Sequence, residues 1–173
     1  MIRRLILVAG LLVLPFAAAP PPAGAAGGAA CVIGGTMQLT PDQATATKGV
    51  WRIEPAVINC QGFYRAKHFI IGPGPFVGFG TFTQVPDGGG PCRHIVGTGH
   101  VDYVIPTDHA TQHVEEQLDF LFAGAGVFAT PSLRGTVQAT SPYRGDCMTE
   151  PVTRASFVAQ AVMVRSDGLD TSG

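Results

Sequence analysis

The chain has 173 residues, with 11 Lys+Arg against 12 Asp+Glu and a net charge of −1, and its basic residues form no run. That balance leaves no electrostatic footprint for nucleic acid and no polybasic patch for anionic lipid. The length suits one domain with a real core and is too short for two.

Taken in chain order, the first segment reads as a secretory signal over residues 1–25. Arg3 and Arg4 form a positive n-region, Leu5 to Ala19 an apolar stretch, and Ala23-Gly24-Ala25 a small-residue cleavage site. The apolar run falls short of the roughly 20 residues that span a bilayer as a helix, so no membrane span is expected. Arg3-Arg4 sits at the extreme terminus with no Ser or Thr before it, which favours the general secretion route over the twin-arginine route. A lipid anchor on Cys31 is the competing reading. It is disfavoured because Gly28 stands where such a signal wants an apolar residue, and because lipidation would leave three cysteines. The protein is therefore expected to be secreted or to sit in the cell envelope. Removing Arg3 and Arg4 leaves 9 basic against 12 acidic residues, a bland surface of about −3.

Residues 26–30 read as a short linker and 31–165 as a single domain. Twenty-three glycines and fourteen prolines divide it into short segments rich in Val, Ile, Phe and Thr, and no helical period is sustained. Alternation predicts eight strands, at 31–40, 49–59, 62–71, 76–85, 93–105, 113–123, 132–140 and 153–165. Turn chemistry separates them at "PDQAT" (41–45), "GPGP" (72–75), "PDGGGP" (86–91), "PTDH" (106–109) and "SPYRGD" (141–146). The last strand carries helix-favouring alanines, yet Ala155, Phe157, Ala159, Ala161 and Met163 alternate onto one face. Residues 166–173 have nothing to bury and read as a loose tail. The predicted fold is all-β, an antiparallel sandwich or closed barrel.

Four of the five histidines fall in "RHIVGTGHVDYVIPTDHATQHVEEQLDF", residues 93–120. On a strand His94, Val96, Thr98, His100 and Asp102 share one face, and Ile95, Val101, Tyr103 and Ile105 the other, which is the core face. Val114, Leu118, Phe120 and Phe122 alternate with His113, Glu115, Gln117 and Asp119 in the same way. The two segments read as a hairpin, and a register with position sums near 219 places His100 opposite Asp119. His94 and His100 lie roughly 20 Å apart along a strand and cannot share one metal ion. His109 and His113, helped by Glu115 or Asp108, are the surviving candidate metal or ligand cluster.

Catalysis has less support. There is no G-x-S-x-G, H-E-x-x-H or S-x-x-K, and no free cysteine if all four pair. His100 with Asp102 or Asp119 could form part of a triad, completed by Ser132 or Ser141, and a secreted hydrolase is the alternative function. Arg144-Gly145-Asp146 matches the cell-adhesion tripeptide, although Gly145 more simply supplies a turn. Trp51, Tyr64, Tyr103 and Tyr143 would form a glycan platform if they shared an exposed face, but Trp51 alternates with Ile53 and Val57 as a core residue does.

The four cysteines, Cys31, Cys60, Cys92 and Cys147, are an even set in an exported chain and predict two disulfides. Cys31 begins one predicted strand and Cys60 ends the next, which favours Cys31–Cys60 with Cys92–Cys147. Loops of about 30 and 56 residues would be worth roughly 3.6 and 4.2 kcal/mol in the chain-entropy model. A zinc site is disfavoured because no C-x-x-C pair exists.

Cys31, "QLTP" (38–41), Cys60, "PC" (91–92), "GTG" (97–99), "GAGV" (124–127), "RGTV" (134–137) and "YRGDC" (143–147) together make the chain resemble a loose group of small exported four-cysteine β-proteins of actinobacteria. The resemblance implies a scaffold and brings no activity with it. This chain departs from the group in its histidines and in "YRAKHF" (64–69). The sequence therefore points to a non-enzymatic extracellular or envelope binding module, with an envelope protein or a glycan as partner and no cofactor. Peptide mapping without reduction is expected to recover Cys31–Cys60 and Cys92–Cys147 as crosslinked pairs; an acylated Cys31, or free thiols at Cys92 and Cys147, would overturn that assignment.

Overall fold

The computed structural model describes residues 28–41, 48–85, 94–140 and 153–164. The expected leader, Ser141, Tyr143, Arg144-Gly145-Asp146, the Cys92–Cys147 pair and the 166–173 tail lie outside them. The described residues form nine strands: β1 (Ala29–Pro41), β2 (Lys48–Tyr64), β3 (His68–Phe69), β4 (Gly74–Val85), β5 (His94–Pro106), β6 (Thr111–Phe122), β7 (Ala125–Ala129), β8 (Leu133–Ala139) and β9 (Arg154–Met163). β1 starts inside the segment read as a linker.

Apart from β3, each strand pairs antiparallel with the next in sequence, and β9 returns to β1, which also pairs with β2. Eight strands thus close into an up-and-down barrel, which decides between the two predicted architectures. Closure satisfies the backbone groups that an open sheet would leave at its edges. An interior of eight strands is just wide enough for side chains to fill it. Pro55 lies where the β2–β4 register shifts between Ile53 and Ala56, a bulge that spares a proline from the ladder.

Two elements depart from the predicted set. The strand expected at 62–71 is split, because β2 runs on to Tyr64 and the chain reverses through Arg65 and Ala66, both left-handed at φ 49° and 56°. Gly62, at φ 120°, sits at the base of this flap; a Cβ there would come within 2.6 Å of the Gly28 carbonyl oxygen. The short β7 was read as loop, its alternation being too brief to register. The 153–165 segment is a strand as expected: Ala155, Phe157, Ala159 and Ala161 all point inward and are buried.

The β5–β6 hairpin keeps its predicted faces but not its predicted register. His100 faces Gln117, and Asp119 faces Thr98, so the expected His100–Asp119 cross-strand pair does not form. The cause is a tight turn. Thr107 N–H and Oγ1 both donate to the Ala110 carbonyl (3.2 and 2.6 Å), and Thr107 Oγ1 accepts from Ala110 N–H. Pro106 is thereby set opposite Thr111 and the pairing moves by two residues, which preserves the side-chain faces. Cys31 and Cys60 are direct register partners of β1 and β2, and their disulfide is formed.

Trp51 fills the middle of the barrel. Its indole meets Phe120 edge-on at 5.5 Å, and its N–H donates to the carbonyls of Thr81 and Thr98 at 3.1 and 3.2 Å. The wall beneath it consists of glycines on the inward positions of β4 and β5. A Cβ on Gly80 would lie 2.2 Å from Thr98 O and 2.8 Å from the indole; one on Gly99 would lie 2.2 Å from Phe79 O and 2.6 Å from the indole. Gly97 makes the same room for Phe120. The Gly99→Ala substitution is expected to cost about 1–3 kcal/mol by overpacking against backbone that cannot yield. Gly34→Ala, with nothing within 4 Å of its Cβ, should stay within about 0.5 kcal/mol of wild type. Urea unfolding followed through the single tryptophan checks both, and equal costs would refute this account of the floor.

Candidate functional site

Among the described residues, a cavity inside the barrel measures about 40 Å³ and is walled by apolar side chains such as Ile33, Met37, Leu118 and Phe157. Small-molecule pockets run to roughly 300–1,000 Å³, so this cavity is a packing gap in the core and too small for such a ligand. Trp51, Tyr64 and Tyr103 belong to that core, which removes them from the glycan platform considered above.

The sequence-derived candidates do not converge on one point. His100 stands on the outer wall beside Phe79, with ring centroids 6.0 Å apart. Asp102 and Glu115 face each other there across the β5–β6 ladder, and His113 faces Val104. His109 lies in the turn and stacks on His68 of β3, at 5.0 Å and 16°. Asp108 has a backbone role: its Oδ1 accepts from Phe69 N–H at 3.1 Å. Among the described residues no group of three or more His, Cys, Asp or Glu is placed to hold a metal ion.

Ser132 points the other way from His100, into the mouth of the barrel, and joins a network that periodicity alone did not single out. β6 has β7 as a ladder partner only over Asp119–Phe122, so the inward Glu116 lies beyond that pairing, beside the β7–β8 turn. Glu116 Oε2 accepts from the Tyr103 hydroxyl at 3.2 Å, from Ser132 N–H at 3.3 Å, and from Thr130 Oγ1. The Tyr103 proton is committed to Glu116, so the Ser132 hydroxyl, 2.6 Å away, donates to the phenol oxygen. Thr130 Oγ1 also accepts from Leu133 N–H at 2.9 Å, which fixes the turn itself. The inward parity of Glu116 was a usable signal, since a carboxylate on a core face must find donors. With Ser132 held on Tyr103 and His100 outside, the wall separates the serine from that histidine.

Burial, above all, pushes the Tyr103 phenol well above its usual range; the Ser132 hydrogen bond opposes this, and the Glu116 charge and hydrogen bond add to it.

The larger hollow is on the outer wall, a groove of about 680 Å³ crossing β4 to β8. Register aligns Val96, Leu121 and Val127 in one row of adjacent strands, and Thr98, Asp119, Ala129 and Arg134 in the next. Val96, Leu121 and Val127 are all exposed. An apolar stripe therefore runs beside a row holding hydroxyl, carboxylate and guanidinium groups.

Replacing Tyr103 with Phe leaves Ser132 and Glu116 short of a partner and should cost about 1–2 kcal/mol at neutral pH. The pH dependence has a definite sign. The folded phenol titrates above the unfolded value of about 10, so its stabilising contribution is complete below pH 10 and is lost as pH rises further. Wild type should lose stability between pH 10 and 12 more steeply than Tyr103→Phe, and parallel profiles in denaturant titrations would contradict the burial of this proton.

Comparison with models of known protein families, with curated proteins and with solved structures finds no match, so the reading of function rests on this geometry.

Proposed function

We propose that the protein is a non-enzymatic binding module, exported to the cell envelope or beyond, that engages an envelope protein or glycan through the outer groove. The outer groove carries this reading: it measures about 680 Å³, against about 40 Å³ for the apolar cavity inside the barrel. The groove has the size of a ligand site and its composition too, an apolar stripe with a few polar groups beside it. Asp119 and Arg134 supply opposite charges for orientation, and Thr81, Thr83 and Thr98 supply hydroxyls. Two further features support export. The amino-terminal segment has the composition of a secretory signal, and Cys31–Cys60 is a bond that persists in oxidising compartments. No helix among the described residues is long and apolar enough to cross a membrane.

The test is retention of solubilised envelope proteins and glycan fragments on immobilised mature protein. Leu121→Asp and Val127→Asp place a charge on the stripe without touching the core, and each is expected to reduce retention at least tenfold, the loss seen when about 1.4 kcal/mol of contact is removed. Retention unchanged in both variants, with Trp51 fluorescence showing an intact fold, would rule the groove out.

A further inference from the structure

The flap at the disulfide end of the barrel presents a second surface. Phe63 of β2 and Phe69 of β3 are register partners whose rings meet edge-on at 5.7 Å, and Ile71 follows two residues on, on the same face. All three are exposed to solvent, at 45, 50 and 62%. The two aromatic rings are held in contact in solvent with an exposed isoleucine two residues on, and a cluster of exposed apolar side chains of this kind marks a contact surface.

The flap is held rigidly. Asp108 grips Phe69 through both its carboxylate and its backbone N–H, the latter donating to Phe69 O at 2.9 Å, while Ile71 N–H donates to Pro106 O at 3.1 Å. Ile70 bridges to Thr107, and His68 stacks on His109. Between β2 and the short β3 the turn exposes Arg65 and Lys67, and the Arg65 guanidinium lies 5.3 Å over the Tyr64 ring. Asp108 touches the flap, and the Phe69 amide occupies one of its oxygens. Arg65 and Lys67 are both exposed on the turn, so the flap offers two cations beside its apolar side chains.

We propose that the flap is a membrane-contact tip, in which Phe63, Phe69 and Ile71 enter the interfacial region of a bilayer while Arg65 and Lys67 meet anionic headgroups. Two cations are too few to bind by charge alone, and three apolar side chains are too few to anchor without charge. The combination gives reversible docking, in keeping with the need for two signals in peripheral attachment. Aromatic rings suit the headgroup boundary, being apolar bodies that tolerate partial hydration. The groove crosses β4–β8, whereas the flap hangs from β2, so the two surfaces can act together or separately.

Co-sedimentation of the mature protein with vesicles decides it. Wild type should sediment with phosphatidylcholine vesicles containing an equal share of phosphatidylglycerol and remain largely free with phosphatidylcholine alone. Phe69→Asp with Ile71→Asp should abolish sedimentation. Neutralising Arg65 and Lys67 to Gln should weaken it about fivefold for each charge removed, and added salt should weaken the wild type in parallel. Leu121→Asp should sediment like wild type, so loss of envelope-ligand retention in that variant leaves the tip standing. No sedimentation of the folded wild type at any anionic content would overturn the proposal, as would sedimentation unaffected by the double aspartate variant. Capture of a lipid-free protein by the tip without vesicle binding would overturn it in favour of a protein partner.

Discussion

The barrel depends on one packing constraint, the seating of Trp51 on a floor that has no side chains. An eight-stranded barrel has room inside for a limited volume, and the largest side chain of the chain consumes much of it. Gly78 and Gly80 on β4, with Gly99 on β5, remove the wall's own side chains where the indole lies. Their absence also lets the indole reach two carbonyls of that wall, so the one polar atom of the plug is satisfied. A buried N–H without those carbonyls would carry a desolvation penalty comparable to a whole hydrogen bond. Phe120 occupies the space over Gly97 by the same exchange of glycine for ring. Close packing there fills the space around the indole with ring and backbone.

Two features at one end of the barrel are held differently. At the mouth near Ser132, polar chemistry holds the turn, with three donors directed at one carboxylate oxygen of Glu116. At the neighbouring flap, a ladder only two residues long is secured by backbone bonds to the β5–β6 turn and by the Asp108 carboxylate. Neither arrangement is strong by itself. Each works because the barrel has already brought distant segments together, so the entropy of ordering them is largely spent. The Cys31–Cys60 bond acts on the same end, joining β1 to β2 where their ladder reaches the flap.

Much of the barrel was legible in alternation. Ile95, Val101, Tyr103 and Ile105 read as core from their spacing and are buried, as are Leu118, Phe120 and Phe122. The pairing of Cys31 with Cys60 followed from the ends of two strands. The candidate surfaces were much less legible. His100 looked like a partner for Asp119 because periodicity gives a face but not a register, and the hydrogen bonds of Thr107 moved the pairing by two. The mouth network unites residues 13 to 29 positions apart in sequence, none with a recognisable spacing. The flap was hidden by its shortness, since two paired residues carry no period.

The sequence by itself determined the secondary-structure class, the inward and outward faces of most strands and one disulfide. These are local properties, set by the two-residue repeat of a strand and by the composition of turns. Only the tertiary structure decided that the sheet closes, that its interior is full, and that exposed apolar residues gather at a groove and at a flap. Closure requires β9 to find β1 across more than 100 residues, and surface clustering depends on registers between strands. Both are sums over contacts that no single segment encodes, which is why His109 ends in the turn against His68 while His100 and His113 stand apart on the outer face of β5 and β6.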